Sequence, residues 1–309
     1  MKVGFNRASA SVLDLIGDTP LLRLSNALGS GSCLYAKTEY QNPSGSIKDR
    51  MVKYAIEMAE LRGELTPGAT IVEASSGNTG VSVSMIAAVK GYRALIAVPD
   101  STSGVKVRMM RQYGAEIVFT RSGDGIGAVV EKARELAAER GAYMLNQFRN
   151  TDNIKAHHVT GEEILAQADA VSVFVAGVGT GGTLLGVAEV LKQADTETRV
   201  VAVEPEAAPA LYNLFYGTNL PVGAGIPHRI EGIGETFVPR IVEQNLGLLD
   251  GVVLVSDEEA LAATAGLARM HGLCVGVSSG ANVYAAVQTA KTVGGKVVTV
   301  LPDSGQRYV

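Results

Sequence analysis

A lysine near the start of a predicted helix has the setting of a reactive amine. The segment "QNPSGSIKDR", residues 41 to 50, reads as a tight turn at Pro43 to Gly45, a helix cap at Ser46 and a first helical turn that contains Lys48. Because the positive end of a helix dipole disfavours a second positive charge, we expect the pKa of Lys48 to be lowered. The neutral amine is the form that attacks an aldehyde to give a Schiff base. A solvated surface lysine is the alternative.

Polar side chains cluster in a second loop, "VEASSGNTG", at residues 72 to 80. The loop contains Ser75, Ser76, Asn78 and Thr79, directly before a helical pattern. Backbone N–H groups at the start of a helix can hold an anion such as a carboxylate, and the side chains add donors. The loop therefore predicts an anion site, with an ordinary capped turn as the alternative.

A third loop, "VSVFVAGVGTGGTLLG" at residues 171 to 186, is rich in glycine. Gly177, Gly179 and Gly182 fit the pattern G-x-G-x-x-G, and Glu204 follows about 20 residues later. This is formally the fingerprint of a dinucleotide site, so a nicotinamide-dependent oxidoreductase is one hypothesis. The fingerprint normally opens the first βαβ unit of a domain, whereas this loop lies past the midpoint of the chain.

The same loop also fits a different ligand. It packs three glycines and two hydroxyls into five residues, which are Gly179, Thr180, Gly181, Gly182 and Thr183. Backbone amides and two threonine hydroxyls so close together favour a loop that surrounds a single terminal phosphate. A fourth loop, "CVGVSSGAN", brings Ser278 to another helix start, where a neutral hydroxyl could contact a heterocyclic nitrogen or cap the helix.

These loops need elements that bring them together, and the sequence predicts parallel sheets. Amphipathic helical patterns separate nine apolar runs, which are "SCLYAKTE", "ATIVEAS", "RALIAVP", "AEIVFT", "YMLNQF", "VSVFVAG", "RVVAVEP", "GVVLVS" and "KVVTVLP". Alternation of this kind indicates sheets with helices on both faces, and ligands bind beyond the carboxyl ends of such strands. Nine strands fit poorly in one sheet, so we expect two α/β domains that divide near "NQFRNTDNIKAHH".

The composition excludes several classes of protein. The chain has 309 residues, 47% hydrophobic residues and a net charge of −4, which gives no basic surface for nucleic acid. The N-terminal sequence has no apolar run typical of a signal peptide, and glycines interrupt the one long uncharged stretch, so we expect a cytoplasmic protein without a membrane span. Cys33 and Cys274 lack metal-ligand spacing and are predicted to be buried free thiols.

In this order the four loops resemble the cysteine synthase and cystathionine β-synthase family of fold-type II pyridoxal-phosphate enzymes. The likeness runs from "IGDTPLLRL" through "NPSGSIKDR", "SSGNTG", "NQF", "GTGGT", "VAVEP", "EGIG" and "GVSSGA" to "LPDSGQRY". It implies two three-layer α/β domains with mainly parallel sheets, as in the β subunit of tryptophan synthase. Residues 1–12 and 35–149 would form the domain with the lysine and asparagine loop, and residues 13–34 and 150–309 the domain with the phosphate loop.

The resemblance also implies a role for each matching residue. Lys48 would form the internal aldimine with pyridoxal 5′-phosphate, and Asn78 would hydrogen-bond the 3′ oxygen of its ring. The loop from Gly179 to Thr183 would bind the phosphate, which favours this cofactor over nicotinamide. Ser278 would face the pyridine nitrogen, with Ser304 as a second candidate.

A further set of residues would bind the substrate. Ser75, Ser76, Thr79 and Gln147 would hold its carboxylate, and Gly232 of "EGIG" would contact it. No metal is implied, and the adjacent His157 and His158 point too far apart on a helix to share one.

The activity implied is β-replacement: L-cysteine from O-acetyl-L-serine and sulfide, through an aminoacrylate intermediate. O-phosphoserine sulfhydrylase activity and cystathionine β-synthase activity, from serine and homocysteine, are the alternatives. The partners implied are small molecules, a second copy of the chain in a homodimer, and a serine acetyltransferase. The sequence departs from the family at Glu235, Thr236 and Phe237, where a small apolar loop is typical, and this leaves the second substrate open.

Overall fold

The computed structural model describes residues 8–24, 32–75, 77–222 and 228–308. In these ranges ten strands form two separate sheets. The strands are β1 (Leu21–Arg23), β2 (Ser32–Lys37), β3 (Thr70–Ala74), β4 (Arg93–Pro99), β5 (Glu116–Thr120), β6 (Tyr143–Met144), β7 (Val173–Gly177), β8 (Arg199–Pro205), β9 (Gly251–Val255) and β10 (Gly295–Val300).

Both sheets are mainly parallel, as the sequence predicts. The larger sheet has the order β1-β2-β10-β7-β8-β9, and only β1 runs antiparallel to its neighbour. The smaller sheet has the order β5-β4-β3-β6 and is parallel throughout. The α/β fold class is therefore confirmed, and the nine predicted runs correspond to β2 to β10.

Helices connect the strands and cover the sheets. They are α1 (Lys48–Leu61), α2 (Asn78–Lys90), α3 (Gly104–Gln112), α4 (Gly125–Arg140), α5 (Asp152–Lys155), α6 (His158–Ala168), α7 (Gly182–Ala194), α8 (Ala210–Tyr216), α9 (Arg240–Glu243), α10 (Asp257–His271) and α11 (Val277–Thr292). Short 3₁₀ helices occur at Val12–Leu15, Glu39–Gln41, Ser122–Asp124, Leu246–Leu248 and Gly305–Tyr308. No helix in the described ranges is both long and apolar enough to pass through a membrane.

Alternating side chains along each strand fill a core on both faces of its sheet. In the smaller sheet Ile71 packs in the core beneath α1 and α2, whereas its neighbour Val72 packs against α4. In the larger sheet Val173 and Phe174 likewise belong to cores on opposite faces. Strands that are buried on both faces read as continuous apolar runs, which is why the sequence revealed them.

A buried network of charges joins the two halves of the chain. Arg50 of α1 binds Glu39 at 2.7 Å and Glu163 of α6 at 2.7 Å, and Lys37 at the end of β2 binds Glu163 at 2.6 Å. Burial alone would raise the pKa of Glu163, but hydrogen bonds and the charge of Arg50 outweigh it and lower this pKa to about 2. Glu163 therefore stays ionised near neutral pH.

Two local predictions are wrong. Ser46 does not cap α1: the cap is Ile47, and the Ser46 hydroxyl is buried without a hydrogen bond to any described residue. The cysteines are free, as expected, but they are not buried, because Cys33 is half-buried and Cys274 is exposed. Cys274 lies in the segment between α10 and α11.

Candidate active site

A cavity opens beyond the carboxyl ends of β3, β7 and β10, at the place where parallel sheets bind ligands. The structure brings most of the predicted site residues to its wall: Lys48, Ser75, Asn78, Thr79, Gln147, Gly179, Thr180, Gly181, Thr183, Gly232 and Ser278. Gly182 is not on the wall, because it begins α7 behind the loop. Ser76 lies outside the described residues.

Lys48 is the first residue of α1, and its half-buried side chain faces this cavity. Burial lowers its pKa, while the nearby carboxylates of Asp303 and Glu235 oppose the shift. The direction agrees with the sequence prediction, and its main cause is loss of water contact. Desolvation therefore favours the neutral amine that imine chemistry requires.

Asn78 is held on both sides by residues that follow β10. Its Nδ2 donates to Asp303 Oδ2 at 2.6 Å, and Arg307 Nη1 donates to its Oδ1 at 2.6 Å. Tyr308 OH also donates to Asp303 Oδ2. Burial raises the pKa of Asp303, and its Oδ1 has no hydrogen-bond partner among the described residues. Asp303, Arg307 and Tyr308 belong to the motif "LPDSGQRY", but the motif alone did not predict their contacts with Asn78.

The glycine loop is shaped by close contact with the backbone of the "EGIG" segment. A Cβ at Gly179 would lie 2.3 Å from the carbonyl oxygen of Gly232, so no side chain fits there. Gly181 has φ +88°, which glycine adopts without strain, and α7 begins directly after it. Gly181 and Thr183 line the cavity on either side of this helix start, and the N-terminus of a helix favours an anion.

Two residues that the sequence analysis missed support the threonines of this loop. Asn153 Nδ2 donates to Thr180 Oγ1 at 2.9 Å, and His157 Nε2 lies 3.2 Å from Thr183 Oγ1. Burial lowers the pKa of His157, so the neutral ring makes this contact. His158 points elsewhere, and no group of three potential metal ligands occurs in the described ranges.

The polar loop after β3 is held by its own hydrogen bonds. Ser75 Oγ accepts from the backbone N–H groups of Gly77 and Gly80, each at 3.0 Å, and so shapes the turn. Thr79 Oγ1 donates to Gln147 Oε1 at 2.7 Å, while Gln147 Nε2 donates to the Ala74 carbonyl at 3.0 Å. Thr79 and Gln147 are thus paired at the wall.

Three carboxylates lie on the cavity wall. Asp303 is the one bound by Asn78 and Tyr308, and Glu231 accepts from Lys106 Nζ at 2.5 Å. Glu235, the departure noted in the sequence, makes no hydrogen bond or ion pair with a described residue. Burial raises its pKa to about 7, although the charge of Lys48 lowers it. Ser278 also lines the wall, whereas Ser304 is not among the lining residues.

Comparisons with known proteins agree with this geometry. The sequence profile of the family described as "Pyridoxal-phosphate dependent enzyme" matches residues 12–303. The chain belongs to this family. A cysteine synthase of Staphylococcus aureus (strain N315) is 40% identical over 305 residues, which cover 97% of this chain and 95% of that protein.

Solved structures of the family have the same fold. An O-ureido-L-serine synthase superposes with a TM-score of 0.90 at 36% identity, covering 97% of this chain and 93% of that one. An O-acetylserine-dependent cystathionine β-synthase from Helicobacter pylori superposes with a TM-score of 0.90 at 35% identity, covering 98% and 97%. The predicted family, fold and enzyme class are confirmed.

The residues present fit pyridoxal 5′-phosphate, the cofactor of this family. The wall combines a desolvated amine at Lys48, a glycine loop at a helix start and a buried Asp303 oxygen without a partner. The nicotinamide hypothesis is wrong. Glu204, the acidic residue that would bind the ribose in a dinucleotide site, instead accepts hydrogen bonds from the backbone N–H groups of Leu211 and Tyr212 at 2.9 and 2.8 Å.

Proposed function

We propose that this enzyme makes L-cysteine from O-acetyl-L-serine and sulfide by β-replacement. The observation that carries the proposal is the amine of Lys48, desolvated and facing the same cavity as the glycine loop and the paired Thr79 and Gln147. The likeness to a cysteine synthase over 97% of the chain supports the same reaction.

The cofactor supplies an aldehyde that binds the amino group of the substrate and a ring that stabilises negative charge at the α-carbon. We assign to Lys48 Nζ the attachment of this aldehyde and, once released, the transfer of the α-proton. The residues from Gly179 to Thr183 hold the phosphate, with Gly182 contributing through the start of α7. Asn78 orients the ring through its 3′ oxygen, and Ser278 contacts the ring nitrogen.

We assign recognition of the substrate carboxylate to Ser75, Ser76, Thr79 and Gln147. The hydrogen bond from Thr79 to Gln147 supports this, because it holds both side chains at the wall before a ligand arrives. Gly232 has φ +89° and open space where a Cβ would be, which leaves room for a substrate beside it. Preorganised donors lower the cost of binding.

The donor and the acceptor are separate questions. Glu235, which has no ion-pair partner among the described residues, disfavours the dianionic leaving group of O-phosphoserine, and Arg229 is not among the lining residues. Homocysteine is the second candidate acceptor, because a structural relative is an O-acetylserine-dependent cystathionine β-synthase and Glu235 gives this cavity an extra proton acceptor.

A visible absorption spectrum tests the proposal. The purified protein should show the band of lysine-bound cofactor, and the band should shift when O-acetyl-L-serine is added and return when sulfide follows. A band that O-acetyl-L-serine leaves unmoved would refute this donor, and O-phosphoserine and serine would be tried next. Absence of the band after incubation with the cofactor would refute the role of Lys48.

We propose that the two sheets mark two domains, as expected from the sequence, with one adjustment. Because β2 pairs with β10 as far as Lys37, the proposed boundary at 34/35 moves to 37/38, and the later boundary stays at 149/150. Limited proteolysis tests the division.

We propose a homodimer, which sedimentation would test, and a serine acetyltransferase as a partner, which co-sedimentation would test. The cytoplasm is the proposed compartment, because free thiols at Cys33 and Cys274 suit a reducing environment.

A further inference from the structure

Glu235 is placed by a loop whose position is fixed. It directly follows Gly234, which has φ +81°, and comes three residues after Gly232, which has φ +89°. The Gly234 N–H donates to the carbonyl of Val178 at 2.9 Å, and the Gly232 carbonyl abuts Gly179. These contacts hold the backbone next to Glu235 against the glycine loop, and Glu235 lines the wall that also carries Lys48.

The surroundings of Glu235 leave its carboxylate available for chemistry. The other two carboxylates of the wall are engaged, Asp303 by Asn78 and Tyr308, and Glu231 by Lys106. Glu235 is half-buried and accepts no hydrogen bond from a described residue. The charged group that acts on it is Lys48, whose charge opposes the rise in its pKa caused by burial.

We propose that Glu235 is the general base that takes the proton from an incoming organic thiol. This inference rests on the proposed function and identifies the acceptor class of the same site. Acetate first leaves the β-carbon of the substrate. The thiol sulfur then forms its bond to this carbon, and the S–H proton passes to the Glu235 carboxylate. Lys48 then returns a proton to the α-carbon, and Glu235 releases its proton to solvent when the product leaves.

The need for this base differs between acceptors. A thiol with a pKa of about 8.5 is mostly protonated at neutral pH, so its attack depends on a proton acceptor. Sulfide is partly ionised at neutral pH and attacks without one. Glu235 thus extends the range of acceptors from sulfide to thiols such as homocysteine. A small apolar loop at this position has no group that could accept the thiol proton.

The pH dependence follows from the groups that face Glu235. Its pKa of about 7 results from burial, opposed by Lys48 of α1. Asp303 and the Glu231–Lys106 pair line the same cavity. Because the base form exists above this pKa, the rate with a thiol should rise as the pH passes about 7. In an enzyme without the Glu235 carboxylate, the rate with a thiol should rise only at higher pH, where the thiol itself ionises.

The test compares the wild-type holoenzyme with Glu235→Gln, and with Glu258→Gln as a control that removes an exposed carboxylate on α10. The donor is O-acetyl-L-serine, and the acceptors are sulfide and L-homocysteine, with kcat/KM measured across the pH range. Glu235→Gln should lower kcat/KM for homocysteine about 10²-fold near pH 7 and change that for sulfide less than about threefold. Glu258→Gln should change neither.

Equal losses with both acceptors, an unchanged rate with homocysteine, or a wild-type enzyme that rejects homocysteine would each overturn the inference. Failure of the proposed function is distinct, because then no variant makes cysteine from sulfide. The visible cofactor band reports whether each variant is loaded. If Glu235→Gln does not load, Glu235→Ala with added formate is used: formate should restore the homocysteine rate alone, and absence of rescue would contradict a base at this position.

Discussion

Replacement of Gly179 by alanine should disturb the cofactor site without unfolding the protein. The new Cβ would lie 2.3 Å from the carbonyl oxygen of Gly232, whereas real Cβ contacts are essentially never under 3.0 Å. The two backbones must therefore separate by about 0.7 Å. Neither atom is at the end of a flexible side chain, so the loop itself must move.

A shift of this size has a large catalytic effect. Misplacement by about 1 Å can lower a rate about 10²-fold, so we expect kcat/KM for O-acetyl-L-serine to fall by roughly that factor in Gly179→Ala. Cofactor affinity, measured by titrating the visible band, should weaken as well. The urea midpoint should change little, because Gly179 lies on the cavity wall and belongs to none of the hydrophobic cores of the described residues.

Gly127→Ala is the matched control. Gly127 lies in α4, has no atom within 4 Å of a built Cβ and does not have a positive φ. Its replacement should leave cofactor affinity and kcat/KM unchanged and stabilise the helix by at most about 1 kcal/mol. If Gly179→Ala binds the cofactor and turns over like the control, the loop is compliant and the steric reasoning is refuted.

Three other changes test separate parts of the structure. Lys48→Ala should abolish the lysine-bound band and lower kcat by at least about 10²-fold, and a variant with normal turnover would contradict the assigned role. Arg50→Met leaves Glu39 buried without its ion-pair partner and should destabilise the fold by about 3–5 kcal/mol in urea unfolding, whereas Arg140→Met, at the exposed ion pair with Glu116, should cost less than about 1 kcal/mol. Burial raises the pKa of Glu73 to about 8 from 4.5, so its contribution to stability is complete below pH 4.5 and is lost as the pH rises through 8. Glu73→Gln should therefore flatten the fall in the urea midpoint across this window, and an unchanged slope would show that Glu73 ionises freely.

The sequence predicted the strands of both sheets except the short edge strand β1. β4 reads as a continuous apolar run and was predicted directly, whereas β1 has only three residues and is an edge strand. The predicted run "YMLNQF" forms only two residues of β6, because Asn146 has φ +57° and turns the chain toward Gln147. A single residue with a left-handed backbone leaves no periodic signal in the sequence.

The residues of the candidate site were predictable where the reactive side chain and its neighbours lie in one short motif. Lys48, Asn78 and the glycine loop belong to short motifs, and all of them reach the cavity. Supporting residues were missed because they act across long separations: Arg307 bonds Asn78, and Asn153 bonds Thr180 from another element. Pairing of this kind depends on the packing of the two sheets and not on any local pattern.

The contacts of Asn78 with Asp303 and Arg307 set the order in which the site is assembled. Asp303 and Arg307 lie 225 and 229 residues beyond Asn78 along the chain, so on the ribosome Asn78 emerges long before they are synthesised. Contacts of such high sequence separation form late in folding, after the local helices and strands. The cofactor-binding wall is therefore completed last. The rate at which the refolding protein binds the cofactor would then equal the rate of this last folding step.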